Sequence, residues 1–264
     1  MNSDSPNWPI CRCGRIKAGK RRRSLPETVL VRKLEAVADL TAADKARLHQ
    51  LCREVGKVRA KRDVISEGDR PDRVHLIVRG WAARYKLLND GRRQITAFMI
   101  PGDLGDVHVT VLDQMDHGIM ALTPCTVAYL DGSELDRITS ENSRLAKAMW
   151  WSTLVDEATL RQWVVNVGRR NAYQRIAHVL CEMHARMKLV GLVDENRLAL
   201  PLSQDELADA TGLTAVHTNR TIQRLRQEKL IEIGGGILKV PDVAALEEAG
   251  GFDPNYLHFS RRLQ

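Results

Sequence analysis

Apolar positions recur at helical spacing from Val29 to about Val55, with Leu30, Leu34 and Val37 in one set and Leu48, Leu51 and Cys52 in another. Thr41, with Asp44 three residues on, gives the second set a capping-box-like start. From Gly56 to Asp131 the period changes to two. Short runs such as 74–78, 81–85, 94–98 and 125–129 are separated by the turn signals Glu67-Gly68-Asp69, Arg79-Gly80, Asn89-Asp90-Gly91 and Pro101-Gly102-Asp103. Short strands at roughly ten-residue spacing predict an antiparallel barrel or sandwich, and Asn89-Asp90-Gly91 predicts a hairpin within it. The helical period returns at Gly132. A long segment, 143–167, is too apolar for a helix packed on one side. A helix that self-associates while covering the strands accounts for the excess better than a plain core helix does. Its candidate dimerisation residues are Leu145, Met149, Val155, Leu160, Trp163 and Val167. Asn171 to Lys188 reads as a further helix, with Ile176, Ala177, Leu180 and Met183 on one face.

The stretch from Ser203 to Lys229 reads as two short helices around a tight turn. Ser203 and Glu206 have capping-box spacing, Gly212 stands where the chain must turn, and Thr214 caps a second helix running to about Glu228. At ~100° per residue, Val216, Asn219, Arg220 and Gln223 share one face of that second helix, while Thr218, Thr221, Ile222 and Leu225 share the opposite one. The first set can read base edges and the second can pack on a core. His217 and Arg224 lie on the flank, where a groove-bound helix meets phosphates. An ordinary amphipathic hairpin would show the same periodicity. The segment after Lys229 favours DNA: Leu230-Ile-Glu-Ile, three glycines at 234–236 and Ile237-Leu-Lys-Val predict a two-stranded wing. The candidate DNA-binding residues are Ser203, Thr214, Val216, His217, Asn219, Arg220, Gln223 and Arg224.

The formal charge of +7 does not support this reading, because it is not where the helix pair is. Residues 1–34 hold nine Lys/Arg against two Asp/Glu, which accounts for the whole excess, and the remaining residues are balanced. Local clusters are the relevant ones: Arg220, Arg224, Arg226 and Lys229, and the pair Arg169-Arg170. Residues 1–27, with Lys20-Arg21-Arg22-Arg23, read more readily as a solvated tail than as a DNA-touching arm. Five cysteines without framework spacing point to a reducing cytoplasm. No run of about eighteen apolar residues offers a membrane span. Cys11 and Cys13 lack the partners a zinc or iron–sulfur site needs, so no metal and no cofactor is expected. The eight histidines are scattered without a nucleophile–base pair, and no enzyme is expected.

The order of strands, long helix and winged helix resembles the Crp/Fnr superfamily of bacterial transcription regulators. The resemblance rests on Glu67-Gly68-Asp69, Gly80, Pro101-Gly102-Asp103, Gly168-Arg169-Arg170, and Leu207-Ala208 through Gly212-Leu213-Thr214 to Asn219-Arg220 and Leu225. It implies an α+β fold: a basic segment (1–28), a cyclic-nucleotide-binding-like antiparallel β-roll with flanking helices (29–142), a dimerisation helix (143–167), a winged helix-turn-helix (168–242), and a C-terminal helix and tail (243–264). It also implies a cytoplasmic homodimer that binds a pseudo-palindromic operator on double-stranded DNA, with RNA polymerase as a partner and no membrane. Departures qualify the input. Where cAMP-responsive members carry Gly-Glu and then an arginine for the phosphate, this chain has Gly105-Asp106 and Gln114-Met115-Asp116-His117-Gly118. The hydroxyl residues that reach the adenine in those members are expected to be replaced near Leu160 and Arg161. The effector is left unknown. A β-roll binding another small ligand, and redox or metal sensing through Cys11 and Cys13, stay open as alternatives. Arg220 matches the family's guanine-reading arginine, and Val216 stands where a glutamate is common.

Overall fold

The computed structural model describes residues 28–107, 109–111 and 113–259. Cys11, Cys13, the basic run at 20–23 and the end of the C-terminal tail lie outside the described residues. Two short helices come first, α1 (Val29–Glu35) and α2 (Ala42–Leu51), the latter with the full Thr41–Asp44 capping box. Asp44 also accepts hydrogen bonds from Asn142 (2.6 Å) and Arg144 (2.9 Å), so one carboxylate fixes both the start of α2 and the start of the long helix.

The period-two region forms eight strands in two antiparallel sheets: β1 (Val55–Val58), β2 (Asp63–Ile65), β3 (Arg73–Arg79), β4 (Ala82–Leu87), β5 (Arg93–Met99), β6 (Leu104–Gly105), β7 (Gly118–Ala121) and β8 (Cys125–Asp131). Their orders are β1-β8-β3-β6 and β2-β7-β4-β5. Asn89-Asp90-Gly91 turns the β4–β5 hairpin, whose register runs from Leu87 opposite Arg93 to Ala82 opposite Met99. Inward residues such as Ile77, Met99, Met115, Ile119 and Val127 fill the roll between the sheets, while Ile95 and Phe98 face the helices on its outer side.

α3 (Gly132–Glu141) leads into α4 (Ser143–Arg169), 27 residues capped by Asn142 and about 40 Å long. The expected dimerisation set divides here. Leu145, Met149, Val155 and Trp163 are buried inside this chain, against the roll and α5 (Ala172–Leu189), while Leu160 and Val167 face solvent. The exposed apolar stripe is Trp150, Leu154, Leu160, Val164, Val165 and Val167. A helix apolar on all sides gives no periodic signal to separate its two faces, and only the roll and α5 packed on one of them do so.

The remaining elements are β9 (Arg197–Ala199), α6 (Gln204–Thr211), α7 (Ala215–Gln227), β10 (Glu232–Gly234), β11 (Ile237–Lys239) and α8 (Val243–Gly250). The wing has three strands, not two: β9 pairs with β11, Leu198 opposite Leu238. The C-terminal stretch is core as well as tail. Phe252 and Leu257 are buried, and a 3-10 turn at Pro254–Leu257 packs beside α4. Gly250 lets α8 approach α5 closely, since a Cβ there would come within 2.8 Å of the His178 amide nitrogen.

A buried run of charges ties these layers together. The Lys33 ammonium donates to Asp103 (2.8 Å), and Asp103 accepts from Arg186 (2.6 Å) and from the Ile100 amide (2.8 Å). Arg186 donates to Glu182 (2.9 Å), whose second oxygen accepts from the Trp163 indole (3.0 Å) and the Tyr256 hydroxyl (2.9 Å). Burial alone would raise the Asp103 carboxyl, but the charges of Arg186 and Lys33 outweigh it and bring it down to about 2. Among the described residues no helix is long and apolar enough to cross a membrane.

Candidate nucleic-acid interface

The helix pair is built by its caps. Ser203 Oγ accepts from the Glu206 amide (3.2 Å), and the Glu206 carboxylate accepts from the Ser203 amide (2.7 Å). Gly212 ends α6 in the left-handed region (φ 65°). Arg175 of α5 donates to the Thr211 carbonyl (3.0 Å), satisfying an acceptor the helix end leaves free. Thr214 Oγ1 accepts from the His217 amide (3.2 Å) to start α7.

α7 presents the face expected of it. Thr218, Thr221, Ile222 and Leu225 are buried, and Val216, Asn219, Arg220 and Gln223 are exposed, Val216 at 79 %. Ser203 and Thr214 are exposed at the two helix starts, and His217 is half-buried. Arg220 has no hydrogen bond or ion pair among the described residues, so its five donors are free for an acceptor. Asn219 and Gln223 touch each other at 3.4 Å. Arg224 is held by Glu228 (2.9 Å) and lies over the Tyr173 ring. Arg169 is exposed, whereas Arg170 is turned inward to Gln162 and the Gly251 carbonyl. The first turn of α7 holds no acid, so its free amides favour an anion.

Sequence reasoning missed the contacts between this unit and the roll. Lys61, in the turn between β1 and β2, pairs with the capping residue Glu206. Arg93 of β5 holds Asp209 (2.7 Å), and Gln94 donates to the Asp209 carbonyl (2.7 Å). α6 is therefore gripped near both ends by residues distant in sequence, and no local pattern announces them. Tyr173 was missed for the same reason, whereas Glu228, four residues after Arg224, lay within reach of the helical period.

The roll interior is occupied by its own charges. Arg84 bonds Asp156 of α4 (3.1 Å) and the Leu104 carbonyl (2.9 Å). Burial would lower the Arg84 guanidinium, but Asp156 and Asp106 outweigh it and keep it charged. Beside them Arg186, Asp103, Phe98 and Thr159 leave a cavity of ≈ 10 Å³, about one water molecule. An arginine is thus inside the roll, on β4 and already paired. Leu160 and Arg161 are exposed on α4, and the neighbouring Thr159 lines the cavity. Asp106 lies 3.4 Å from His117, which also meets Asp116 at 2.7 Å. Burial raises the Cys52, Cys125 and Cys181 thiols, Cys52 to about 12. Among the described residues no three His, Cys, Asp or Glu side chains cluster as a metal site.

A polar, cation-bearing helix face presented by a capped helix pair, with a three-stranded wing beside it, defines a winged helix-turn-helix DNA reader joined to a β-roll. Residues 174–249 match the Crp-like helix-turn-helix domain and residues 56–142 the cyclic nucleotide-binding domain. The chain is 31 % identical over 226 residues to the transcriptional activatory protein AadR of Rhodopseudomonas palustris, covering 84 % of this chain and 89 % of that protein. It is 28 % identical over 218 residues to the nitrogen fixation regulation protein FixK of Bradyrhizobium diazoefficiens, covering 82 % and 90 %. The structure of FixK2 from Bradyrhizobium japonicum superposes with a TM-score of 0.68 at 24 % identity, over 76 % of this chain and 98 % of that one. The chain belongs to the Crp/Fnr family of DNA-binding transcription regulators, whose members are not enzymes.

Proposed function

We propose that the protein is a cytoplasmic homodimer that reads a pseudo-palindromic operator by placing α7 of each subunit in a major groove. The observation that carries this is the exposed Arg220, unpaired among the described residues, on a face that also holds Val216, Asn219 and Gln223. Arg220 reads guanine, Asn219 reads adenine, and Val216 meets a thymine methyl. Ser203, Thr214, His217 and Arg224 contact the backbone and set the register. The two-fold arrangement comes from the exposed stripe on α4, Trp150, Leu154, Leu160, Val164 and Val167, packed against a second copy. Half-sites then lie about one helical turn apart.

In this reading the roll keeps the family's shape and does not take a cyclic nucleotide. Two features support this: the Arg84–Asp156 pair inside the roll, and the acids Asp106 and Asp116 in the stretch where cAMP-responsive members carry their phosphate-binding groups. The likeness to AadR, a transcriptional activatory protein, supports activation through contact with RNA polymerase. The test is selection of bound DNA from a random library, followed by binding of variants to the selected site and to random DNA. Arg220→Ala abolishes the preference for the selected site, and Arg224→Ala weakens both DNAs alike. Equal loss on all sequences for both variants overturns the reading.

A further inference from the structure

The first turn of α5 and the last turn of α7 meet in an exposed group of three side chains. The Arg224 guanidinium carbon lies 4.4 Å from the Tyr173 ring centroid, and its Nε donates to Glu228 Oε1 at 2.9 Å. The Tyr173 hydroxyl donates to Glu228 Oε2. Each residue therefore touches the other two, and the triangle joins elements that are not neighbours in sequence. Arg220, one turn earlier on α7, has no such support.

The triangle restrains a side chain that is otherwise flexible. The ring covers one guanidinium face and Glu228 takes the Nε proton, which leaves the four Nη protons for an outside acceptor. Arg224 sits ~80° around α7 from Val216, at the edge of the exposed face. We infer that Tyr173 and Glu228 are positioning residues for DNA binding, holding Arg224 extended along the flank of α7 so that its Nη groups meet a backbone phosphate. This inference rests on α7 entering the groove. Restraint before contact lowers the ordering cost of the phosphate bond, and because the contact is to phosphate it acts alike on every sequence.

The experiment measures affinity for the selected site and for random DNA across a salt series. Arg224→Ala makes the slope of log K against log salt shallower by about 0.9, the value for one phosphate contact. Tyr173→Leu weakens both DNAs about three- to tenfold, leaves their ratio unchanged, and has no further effect in the Arg224→Ala background. Tyr173→Phe keeps the ring and retains most of the binding. Circular dichroism melting of each variant confirms that the fold is kept. Tyr173→Leu overturns the inference if it weakens binding equally with and without Arg224, changes the ratio of the two DNAs, or has no effect. An unchanged salt slope in Arg224→Ala also overturns it. Arg220→Ala run in parallel separates the two claims: site preference retained there refutes the groove reading itself, and preference lost there with Tyr173→Leu inert refutes the positioning role alone.

Discussion

Asp103→Asn tests whether the buried run of charges holds the molecule together. The carboxylate lies between Lys33 and Arg186, with side chains 7 % exposed for Asp103, 8 % for Lys33 and 11 % for Arg186, so solvent screens these pairs little. A carboxyl that falls from 3.8 to about 2 on folding contributes on the order of 2–3 kcal/mol. The substitution also leaves two buried cations facing a neutral amide, and loss of one partner from a buried pair costs about 3–5 kcal/mol. Asp103→Asn is therefore expected to lower unfolding stability by about 3 kcal/mol at pH 7, measured by urea denaturation. The folded pKa is depressed, so the contribution is full above the unfolded value near 3.8 and is lost as pH falls toward 2. About half of it is gone at pH 3, and the gap between wild type and variant narrows there. Lys33→Met added to Asp103→Asn recovers part of the loss by removing an uncompensated charge. A loss under about 1 kcal/mol at pH 7, or a gap that does not narrow in acid, refutes the argument.

Trp150→Glu and Val164→Asp put charges into the exposed stripe of α4. They raise the dimer dissociation constant at least about tenfold, read by light scattering over a dilution series; unchanged mass at every concentration places the interface elsewhere. His178 is fully buried against Phe252 and Tyr256, and burial, then the Arg170 charge, holds its pKa down to about 4. Its neutral form stabilises the fold fully above pH 6.5, and roughly 3 kcal/mol is lost as pH falls to 4. His178→Gln flattens that part of the pH–stability profile, and an identical profile removes His178 as its source. Arg93→Ala and Asp209→Ala, combined in a double-mutant cycle, couple by about 0.5–1.5 kcal/mol; no coupling means the roll and α6 do not meet in solution.

The parts legible in the sequence were those set by neighbours along the chain. Ser203 with Glu206, Gly212 and Thr214 fixed the helix pair by cap and turn chemistry, and four buried and four exposed positions on α7 followed from its period. Asn89-Asp90-Gly91 located its hairpin in the same way. The parts that were hidden depend on distant partners. α4 is apolar all round, so its inner Trp163 and outer Trp150 look alike until the roll and α5 are in place. β9 is three residues long before Pro201 and becomes a strand by pairing with β11. Arg84 looks like a surface residue of an alternating strand until Asp156 meets it inside the roll. Tyr256 and Leu257 look like tail until α4 and α5 supply the surface they cover.

Lys33 and Tyr256 stand close to the two ends of the described chain, yet one run of hydrogen-bonded groups joins them. Synthesis delivers those groups in order: Lys33 and Asp103 first, Glu182 and Arg186 next, Tyr256 last of the five. A nascent chain can complete the roll early and still hold Glu182 without its tyrosine partner. The α5 end of the run is therefore completed only after the segment carrying Tyr256 has followed the reading helix α7 out, so the last bond of the chain of charges forms after the helix pair exists.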